Sequence, residues 1–370
     1  MDHSARFSVE YRIRAGSKNE AHQFAEKIGT EQSVEMPLAV VPPSGKKSLP
    51  EVHSVTQLNE DLWTASLSYP ISLFGDDITQ FLNVLFGNIS LLHNIKITNI
   101  DEGVFKKSFY GPEFGIEGLR KKLNVPERAL SCTALKPIGL SPGELAENSY
   151  QFTMGGIDII KDDHGLANQQ TADFRARVTA CVQAVRMGEQ ISGKKTLYFP
   201  NITTSPAYVL DRFHEALELG ADGVLISPQL TGLEMLHTLS SRGHLPVMAH
   251  PAFSGPYVIH ESHGFLPDLY YGKLWRALGA DAIIYPNAGG RFSFSRETCK
   301  RINQRARDKF HTFNASFPTP AGGMNMQSLP DQITHYGNNT IYLIGGNLHE
   351  QKAGLQEATK QFQNLLSEYE

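Results

Sequence analysis

Four ionisable side chains follow one short apolar run, and they form the segment of the sequence best suited to chemistry. In "GGIDIIKDDHG", Lys161, Asp162, Asp163 and His164 come directly after the apolar residues of a predicted buried strand. Buried charges without partners are strongly unfavourable, so these groups either pair with one another or bind a ligand. Because side chains alternate along a strand, Lys161 and Asp163 lie on the same side of it.

A carboxylate and an imidazole at this spacing are candidate ligands of a divalent metal ion. A lysine ammonium has no free lone pair and cannot be a ligand in that form. Reaction of Lys161 with CO₂ would convert it to a carbamate, which offers oxygen atoms as a carboxylate does. A salt bridge between Lys161 and an aspartate is the alternative that the spacing leaves open.

Eight short apolar runs alternate with amphipathic stretches of helix length from about residue 130 onward, which predicts a (β/α)8 barrel. A doubly wound open sheet is the structural alternative. The first helix is predicted to begin at "SPGE", where Ser141 and Glu144 form a capping box. The predicted strands are "LSCTAL", "GIDII", "TLYFPNI", "GVLIS", "PVMAH", "AIIYP", "TFNASF" and "IYLIGG".

Chemistry in a barrel lies at the C-terminal ends of the strands, and these ends are polar or rich in glycine. Two glycine pairs, Gly322–Gly323 and Gly345–Gly346, follow the seventh and eighth runs. Small residues let backbone N–H groups approach an anion, so the pairs predict a phosphate site, with ordinary turns as the alternative. A sugar phosphate is the natural ligand.

The first 120 or so residues mix predicted strands and helices without strict alternation, which indicates an α+β unit. Strands are expected at "RFSVEYRIR", "LWTASLSY" and "NIKITNI", helices near "EAHQFAEKIG" and "DITQFLNVLFGN", and a loop at "AVVPPSGKKSLPEV".

Composition excludes some classes of partner. With a net charge of −4, the chain has no cationic excess for nucleic acid, and no apolar run approaches the length of a membrane span. Three cysteines without CxxC spacing, Cys132, Cys181 and Cys299, suit a reducing compartment as small buried residues. We therefore predict a cytoplasmic protein that binds neither nucleic acid nor membrane.

Several motifs resemble those of the RuBisCO large chain. The segments "ALKPIGLSP" and "GGIDIIKDDHG" are similar to its "KPKxGLxP" and "GGxDxxKDDE" motifs, and "FGNISLL", "AEKIGTEQS" and "YFPNIT" to its "GNVFG", "AAESS" and "YLNAT" elements. The resemblance implies a small ferredoxin-like α+β domain at residues 1–122 and a (β/α)8 TIM barrel at 123–370. It also implies an obligate homodimer with the active site at the subunit interface.

The resemblance further implies roles for individual residues. Lys161 would be carbamylated and bind Mg²⁺, Lys136 would move the proton next to the substrate carbonyl, and Asn88 and Glu31 would reach in from the partner chain. The metal would hold the resulting enediolate. The predicted catalytic residues are Lys136, Lys161, His250 and Asn88; the metal ligands are Lys161, Asp163 and His164; the phosphate and substrate ligands are Arg291, Gly322, Gly323, Gly345, Gly346, Asn347 and Asn201.

The sequence also departs from the carboxylase pattern. His164 replaces the acidic metal ligand and is a poorer match for a hard ion. Pro251 replaces the arginine that clamps a second phosphate, Ala321 replaces a nearby serine, and Ile138 replaces the second lysine of "KPK". The loop "NAGGRFSFS" replaces one that ends "GKLEG" and supplies a lysine to the gaseous substrate. One phosphate site is kept while the second is lost, so we predict that the protein is not a carboxylase.

The predicted function is that of a form IV RuBisCO-like protein in sulfur salvage. It would be a Mg²⁺-dependent isomerase of a phosphorylated ketose such as 5-methylthioribulose 1-phosphate, acting through a metal-bound enediolate. Lys136 disfavours the diketo-phosphate enolase branch. One alternative is decarboxylation or hydrolytic cleavage of a 3-oxo sugar-acid phosphate, with Arg291 or His250 holding the carboxylate. Another is a catalytically silent sugar-phosphate-binding protein, which the intact set of Lys136, Lys161 and Asp163 disfavours.

Overall fold

The computed structural model describes residues 5–292 and 294–369, which form thirteen strands and fifteen α-helices. The strands are β1 (Arg6–Arg14), β2 (Glu51–Gln57), β3 (Leu62–Pro70), β4 (Ile95–Ile100), β5 (Leu130–Leu135), β6 (Ile159–Asp162), β7 (Leu197–Phe199), β8 (Val224–Ile226), β9 (Val247–Ala249), β10 (Gly264–Phe265), β11 (Ala282–Pro286), β12 (Phe317–Ala321) and β13 (Ile341–Leu343).

The helices include one π-helix, Asp268–Leu274. None of those described is long and apolar enough to cross a membrane. The α-helices are α1 (Lys18–Glu31), α2 (Ile78–Phe86), α3 (Phe105–Ser108), α4 (Gly115–Leu123), α5 (Pro142–Met154), α6 (Phe174–Ser192), α7 (Val209–Glu218), α8 (Pro228–Thr231), α9 (Glu234–Ser240), α10 (Gly255–Val258), α11 (Trp275–Ala277), α12 (Arg296–Arg307), α13 (Leu329–Tyr336), α14 (Gly346–His349) and α15 (Leu355–Ser367).

The first of two compact units consists of the residues up to 109 together with 254–270. Its sheet has the order β10-β4-β1-β3-β2 and is antiparallel except for the β10–β4 pair. Side chains of β1 alternate between buried and half-buried, as the sequence predicts. β2 begins inside the predicted loop at residues 39–52 and was not predicted. Its side chains are mostly exposed, so it lacks an alternating apolar pattern.

The second unit, residues 110–253 and 271 onward, contains eight parallel strands in two four-stranded sheets. Their orders are β13-β5-β6-β7 and β12-β11-β9-β8, and a bridge between Asn201 and Leu225 links β7 to β8. All eight strands contribute residues to one hydrophobic cluster. The predicted α/β architecture with parallel strands is confirmed, and closure into a barrel stays a prediction. The strand residues of the cluster are Leu130, Cys132, Ile159, Leu197, Phe199, Leu225, Met248, Ala282, Ile284, Phe317, Ile341 and Leu343.

The seventh parallel strand lies later in the chain than predicted. The sequence places it at residues 312–317, whereas β12 begins at Phe317 and contains Pro318 and Pro320. Prolines lack the N–H that a ladder requires, which is why this segment does not look like a strand. The Phe317 N–H donates to the Asp281 carbonyl oxygen at 2.8 Å. Because backbone N–H directions alternate along a strand, the nitrogens of Pro318 and Pro320 point away from β11 and break no hydrogen bond to it. On that edge, no ladder to β13 occurs among the described residues.

Asp281, directly before β11, joins three elements of the second unit. Its buried carboxylate accepts the N–H groups of Phe114 and Gly115 at 2.7 Å and that of Val247 at 2.8 Å. These bonds hold the N-terminus of α4 and the start of β9 against β11. One carboxylate thus satisfies three amide donors that would otherwise be unpaired.

We expect Asp281→Ala to lower the free energy of unfolding by about 3 kcal/mol, because it leaves three amides without acceptors. Guanidinium denaturation followed by tryptophan fluorescence measures the change. Asp331→Ala is the control, since Asp331 forms an exposed ion pair with Arg296 and its loss should leave stability nearly unchanged. Equal stability of Asp281→Ala and the unmodified protein would contradict the anchoring role.

Candidate active site

Strands β5 and β6 position Lys136 and the Lys161–His164 segment, respectively. Ala134 of β5 is paired with Lys161 of β6, and Leu130 and Ile159 belong to the hydrophobic cluster. Alternation along each strand therefore places Lys136, Lys161 and Asp163 on the same inward side as the cluster, beyond its last apolar residues. The predicted grouping of Lys161 with Asp163 requires that both side chains lie on this inward side.

Asp163 contacts two of the predicted site residues. Its Oδ1 lies 3.3 Å from Lys136 Nζ, and its Oδ2 lies 3.5 Å from His164 Nδ1. Partial burial raises the pKa of Asp163, but the hydrogen bond from His164 and the charges of Lys161 and Lys136 outweigh it, and the pKa falls well below its usual range. Asp163 is therefore a carboxylate at neutral pH, flanked by cationic and imidazole groups.

Lys161 is almost completely buried, with 2% of its surface exposed. Its Nζ donates to the backbone oxygen of Asp162 at 2.9 Å. Burial, the largest effect, lowers the pKa of Lys161. A lowered pKa favours the neutral amine, which is the form that reacts with CO₂.

Asp162 faces the opposite way and belongs to a buried network that the sequence analysis missed. Tyr198 donates its hydroxyl to Oδ1 at 2.8 Å, while Arg177 Nε at 3.1 Å and the Asn201 N–H at 2.9 Å donate to Oδ2. The side chains of Asp162 and Arg177 are fully buried. An arginine on the apolar face of α6, directly before Val178, was the available signal.

His164 and His250 form a stacked pair, with ring centroids 4.5 Å apart and ring planes 6° apart. The Ala252 N–H donates to His250 Nδ1 at 3.1 Å, which assigns the proton of a neutral ring to Nε2. Burial, followed by the Lys161 charge, lowers the pKa of His250 well below its usual range. His250 thus presents a neutral N–H donor beside His164.

Backbone conformation and limited space favour glycine at several of the positions predicted to bind phosphate. Gly322 and Gly323 have φ values of 91° and 101°, which L side chains rarely adopt. A Cβ on Gly290 would lie 1.8 Å from the Gly322 oxygen, so the loops after β11 and β12 meet backbone to backbone. A Cβ on Gly345 would lie 3.5 Å from Lys136 Nζ, so the end of β13 borders Lys136, whereas Gly346 faces open space.

Three other predicted ligands have different surroundings. Asn201 Nδ2 donates to the His164 carbonyl oxygen at 2.9 Å, which holds the end of β6. Asn347 Oδ1 accepts the Met326 N–H at 3.2 Å and links the loops after β12 and β13. Arg291 is exposed, and Ser293 in the same loop, "NAGGRFSFS", lies outside the described residues. The binding roles of these residues stay predictions.

Asn88 and Glu31 belong to the first unit and lie together there. Asn88 Nδ2 donates to Glu31 Oε1 at 3.1 Å and to Glu35 Oε1 at 2.8 Å. Gln32, another residue that the sequence analysis missed, is buried and accepts the Ile89 N–H at 3.2 Å, which fixes the turn that carries Asn88. Their roles toward a substrate stay predictions.

Comparison with known families agrees with the architecture of this unit. The family model described as "Ribulose bisphosphate carboxylase large chain, catalytic domain" matches residues 115–363, which include all eight parallel strands. The chain belongs to the RuBisCO large-chain family. Membership confirms the resemblance of the "KP" and "KDD" motifs, which lie at the ends of β5 and β6.

Individual members of the family are similar over nearly the whole chain. A 5-methylthioribulose-1-phosphate isomerase of Rhodospirillum rubrum is 38% identical over 363 residues, covering 96% of this chain and 95% of the relative. A 2,3-diketo-5-methylthiopentyl-1-phosphate enolase of Bacillus velezensis is 33% identical, covering 84% and 78%. The crystal structure of a Rubisco-like protein from Rhodopseudomonas palustris matches with a TM-score of 0.89 at 33% identity, covering 98% of each chain. The named activities of these relatives are enzymatic and are not carboxylations.

Membership of the RuBisCO family implies a bound metal ion and a lysine carbamate, and the residues of this chain fit both. Across residues 5–292 and 294–369, no three His, Cys, Asp or Glu side chains are grouped as a metal site requires. Asp163 and His164 would supply two donors, so a third ligand would have to be of another kind. A carbamate on Lys161 would be that ligand, and the three would hold a divalent ion.

Adjacent aspartates allow the two sides of β6 to be tested separately. Asp162→Asn should lower the free energy of unfolding by about 3–5 kcal/mol, because it leaves the Arg177 charge buried without its carboxylate. Asp163→Asn should change it far less, since Lys136 and His164 are partly exposed to water. Guanidinium denaturation compares the two variants, and similar losses in both would refute the assignment.

Proposed function

We propose that this chain is a Mg²⁺-dependent isomerase that is activated by CO₂. Its substrate would be a phosphorylated ketose of the 5-methylthioribulose 1-phosphate class. The observation that carries the proposal is the contact of Lys136 with Asp163 beside the buried Lys161. A protein that only binds sugar phosphate has no need for this combination. The sequence identity of 38% to an isomerase of that substrate supports the choice within the family.

Lys136 is the proposed proton carrier. In its neutral form, Nζ takes the proton from the carbon next to the carbonyl, and the electron pair moves onto the carbonyl oxygen to give an enediolate. The ammonium then gives the proton to the former carbonyl carbon, while the hydroxyl proton of the first carbon passes to the former carbonyl oxygen. A new C=O forms at the first carbon, which completes the isomerisation. Asp163, 3.3 Å away, holds the amine in place.

The divalent ion, held by the Lys161 carbamate with Asp163 and His164, would make that carbon proton more acidic by polarising the substrate oxygens. Backbone N–H groups near Gly322, Gly323, Gly345 and Gly346 would bind the phosphate. His250, with Nε2 protonated, donates a hydrogen bond to a substrate oxygen. Pro251 and Ala321, in place of an arginine and a serine, leave no second clamp, which suits a monophosphate.

The finer features of the family belong to the same proposal. The eight parallel strands would close into a barrel, the first unit would be the ferredoxin-like domain, and two copies would form a homodimer in which Asn88 completes the other copy's site. The three cysteines are buried and unpaired, which suits the reducing cytoplasm, where we place the enzyme.

Proton exchange tests the reaction directly. Protein treated with Mg²⁺ and bicarbonate is incubated with 5-methylthioribulose 1-phosphate in D₂O and followed by proton NMR. We expect deuterium at the exchanged carbon and a new ketose phosphate. Lys136→Met and Lys161→Ala should each lower kcat by about 10³-fold or more, because the first removes the proton carrier and the second removes the carbamate that would hold the ion.

Lys194→Met is the control for loss of a lysine, since Lys194 is exposed and precedes β7 at the opposite end of the strands. It should keep full activity. Neither deuterium uptake nor a product with the unmodified protein would refute the isomerase. Turnover of a 2,3-diketo-5-methylthiopentyl phosphate or of a 3-oxo sugar-acid phosphate instead would assign a different enolisation chemistry.

Dependence on CO₂ tests the carbamate. After removal of divalent ions and of dissolved CO₂, activity should be lost and should return only when Mg²⁺ and bicarbonate are both supplied. Lys161→Ala should not recover under any of these conditions. Full activity of the unmodified protein in CO₂-free buffer with Mg²⁺ would exclude the carbamate.

A further inference from the structure

His164 is held in place by three separate contacts. Asn201 binds its backbone oxygen at 2.9 Å, the His250 ring stacks on its ring, and its Nδ1 lies 3.5 Å from Asp163 Oδ2. Half of its side chain is nevertheless exposed, with 51% accessible. The imidazole is thus fixed by its surroundings and still open to a ligand.

The distance between Nδ1 and Oδ2 suits two donors on one ion. Bonds of about 2.1 Å at a right angle place their donor atoms about 3 Å apart, so a movement of a few tenths of an ångström would bring both onto one metal. Binding through Nδ1 requires the neutral ring to carry its proton on Nε2, so the ion would replace the hydrogen bond from Nδ1 to Asp163. The second Asp163 oxygen, Oδ1, is directed to Lys136. Asp163 can therefore give one oxygen to the ion while it holds Lys136 with the other.

We propose that His164 is a nitrogen ligand of the ion and shifts the preference of the site from Mg²⁺ toward borderline ions such as Mn²⁺ and Co²⁺. The inference rests on the proposed function for its third ligand, the Lys161 carbamate. Magnesium favours an all-oxygen environment, whereas imidazole suits transition metals. A set of two oxygen ligands and one nitrogen ligand is a mixed set, which Mn²⁺ and Co²⁺ accept more readily than Mg²⁺.

Pulsed electron paramagnetic resonance identifies the ligand without an activity assay. Bicarbonate-treated protein loaded with Mn²⁺ should show the ¹⁴N coupling of a directly bound imidazole. His164→Gln should abolish the coupling, whereas His250→Gln should keep it, because His250 only stacks on the ligand. No bound Mn²⁺, no ¹⁴N coupling, or a coupling lost in His250→Gln but kept in His164→Gln would overturn the proposal.

The preference of the site between Mg²⁺ and Co²⁺ is the second property to measure. Titration calorimetry gives the ratio of the Mg²⁺ and Co²⁺ dissociation constants, and His164→Glu should lower this ratio at least tenfold by restoring an oxygen ligand. His53→Glu, on the exposed surface of β2, controls for the added negative charge and should leave the ratio unchanged. An unchanged ratio in His164→Glu would overturn the proposal.

The metal proposal and the proposed function fail separately. A protein that shows the ¹⁴N coupling but leaves 5-methylthioribulose 1-phosphate unaltered refutes the isomerase and keeps the ligand assignment. A protein that isomerises the substrate with an ion free of nitrogen ligands keeps the isomerase and refutes the role of His164.

Discussion

The buried carboxylate of Asp162 determines how the end of β6 is presented. Its partners are Arg177 of α6, Tyr198 of β7 and Asn201, which lies two residues beyond β7. Four hydrogen bonds or ion contacts thus fix one side chain on the outer side of the strand. Since neighbouring residues alternate, Lys161 and Asp163 are directed inward. A charge buried this deeply is stable only with all of its partners, so the reactive side of β6 depends on a side chain that faces away from it.

Local sequence signals predict the start of elements well. Ser141 and Glu144 form the predicted capping box at the start of α5, and the apolar runs of β5 and β11 agree residue for residue with the strands. The failures come from strands that lack an apolar pattern. β12 contains two prolines that are acceptable only because of the edge they face, and β2 is exposed, so neither can be recognised without its neighbours.

The candidate site likewise has features that local sequence predicts and contacts that require the fold. Spacing within one strand is enough to predict that Lys161 and Asp163 lie on the same side, because period-two alternation is a local property. The contact with Lys136 needs the pairing of β5 with β6, which the family resemblance supplies and composition does not. The bonds of Asn201 and Asn347 join loops from different strands, so their present partners could not be read from the sequence. Departures from the carboxylase motifs remain the most informative sequence feature about the reaction.

The backbone contact between Gly290 and Gly322 makes sequence changes in the loops after β11 and β12 depend on each other. A Cβ on Gly290 would lie 1.8 Å from the Gly322 oxygen, and a Cβ on Gly323 would lie 2.8 Å from the Gly290 Cα, so a change in the path of the loop after β11 requires a matching change after β12. Substitutions accepted in one loop will therefore depend on the sequence of the other. An attempt to give this scaffold a carboxylase-type loop would have to exchange both segments together, since either one alone would meet the backbone of its neighbour.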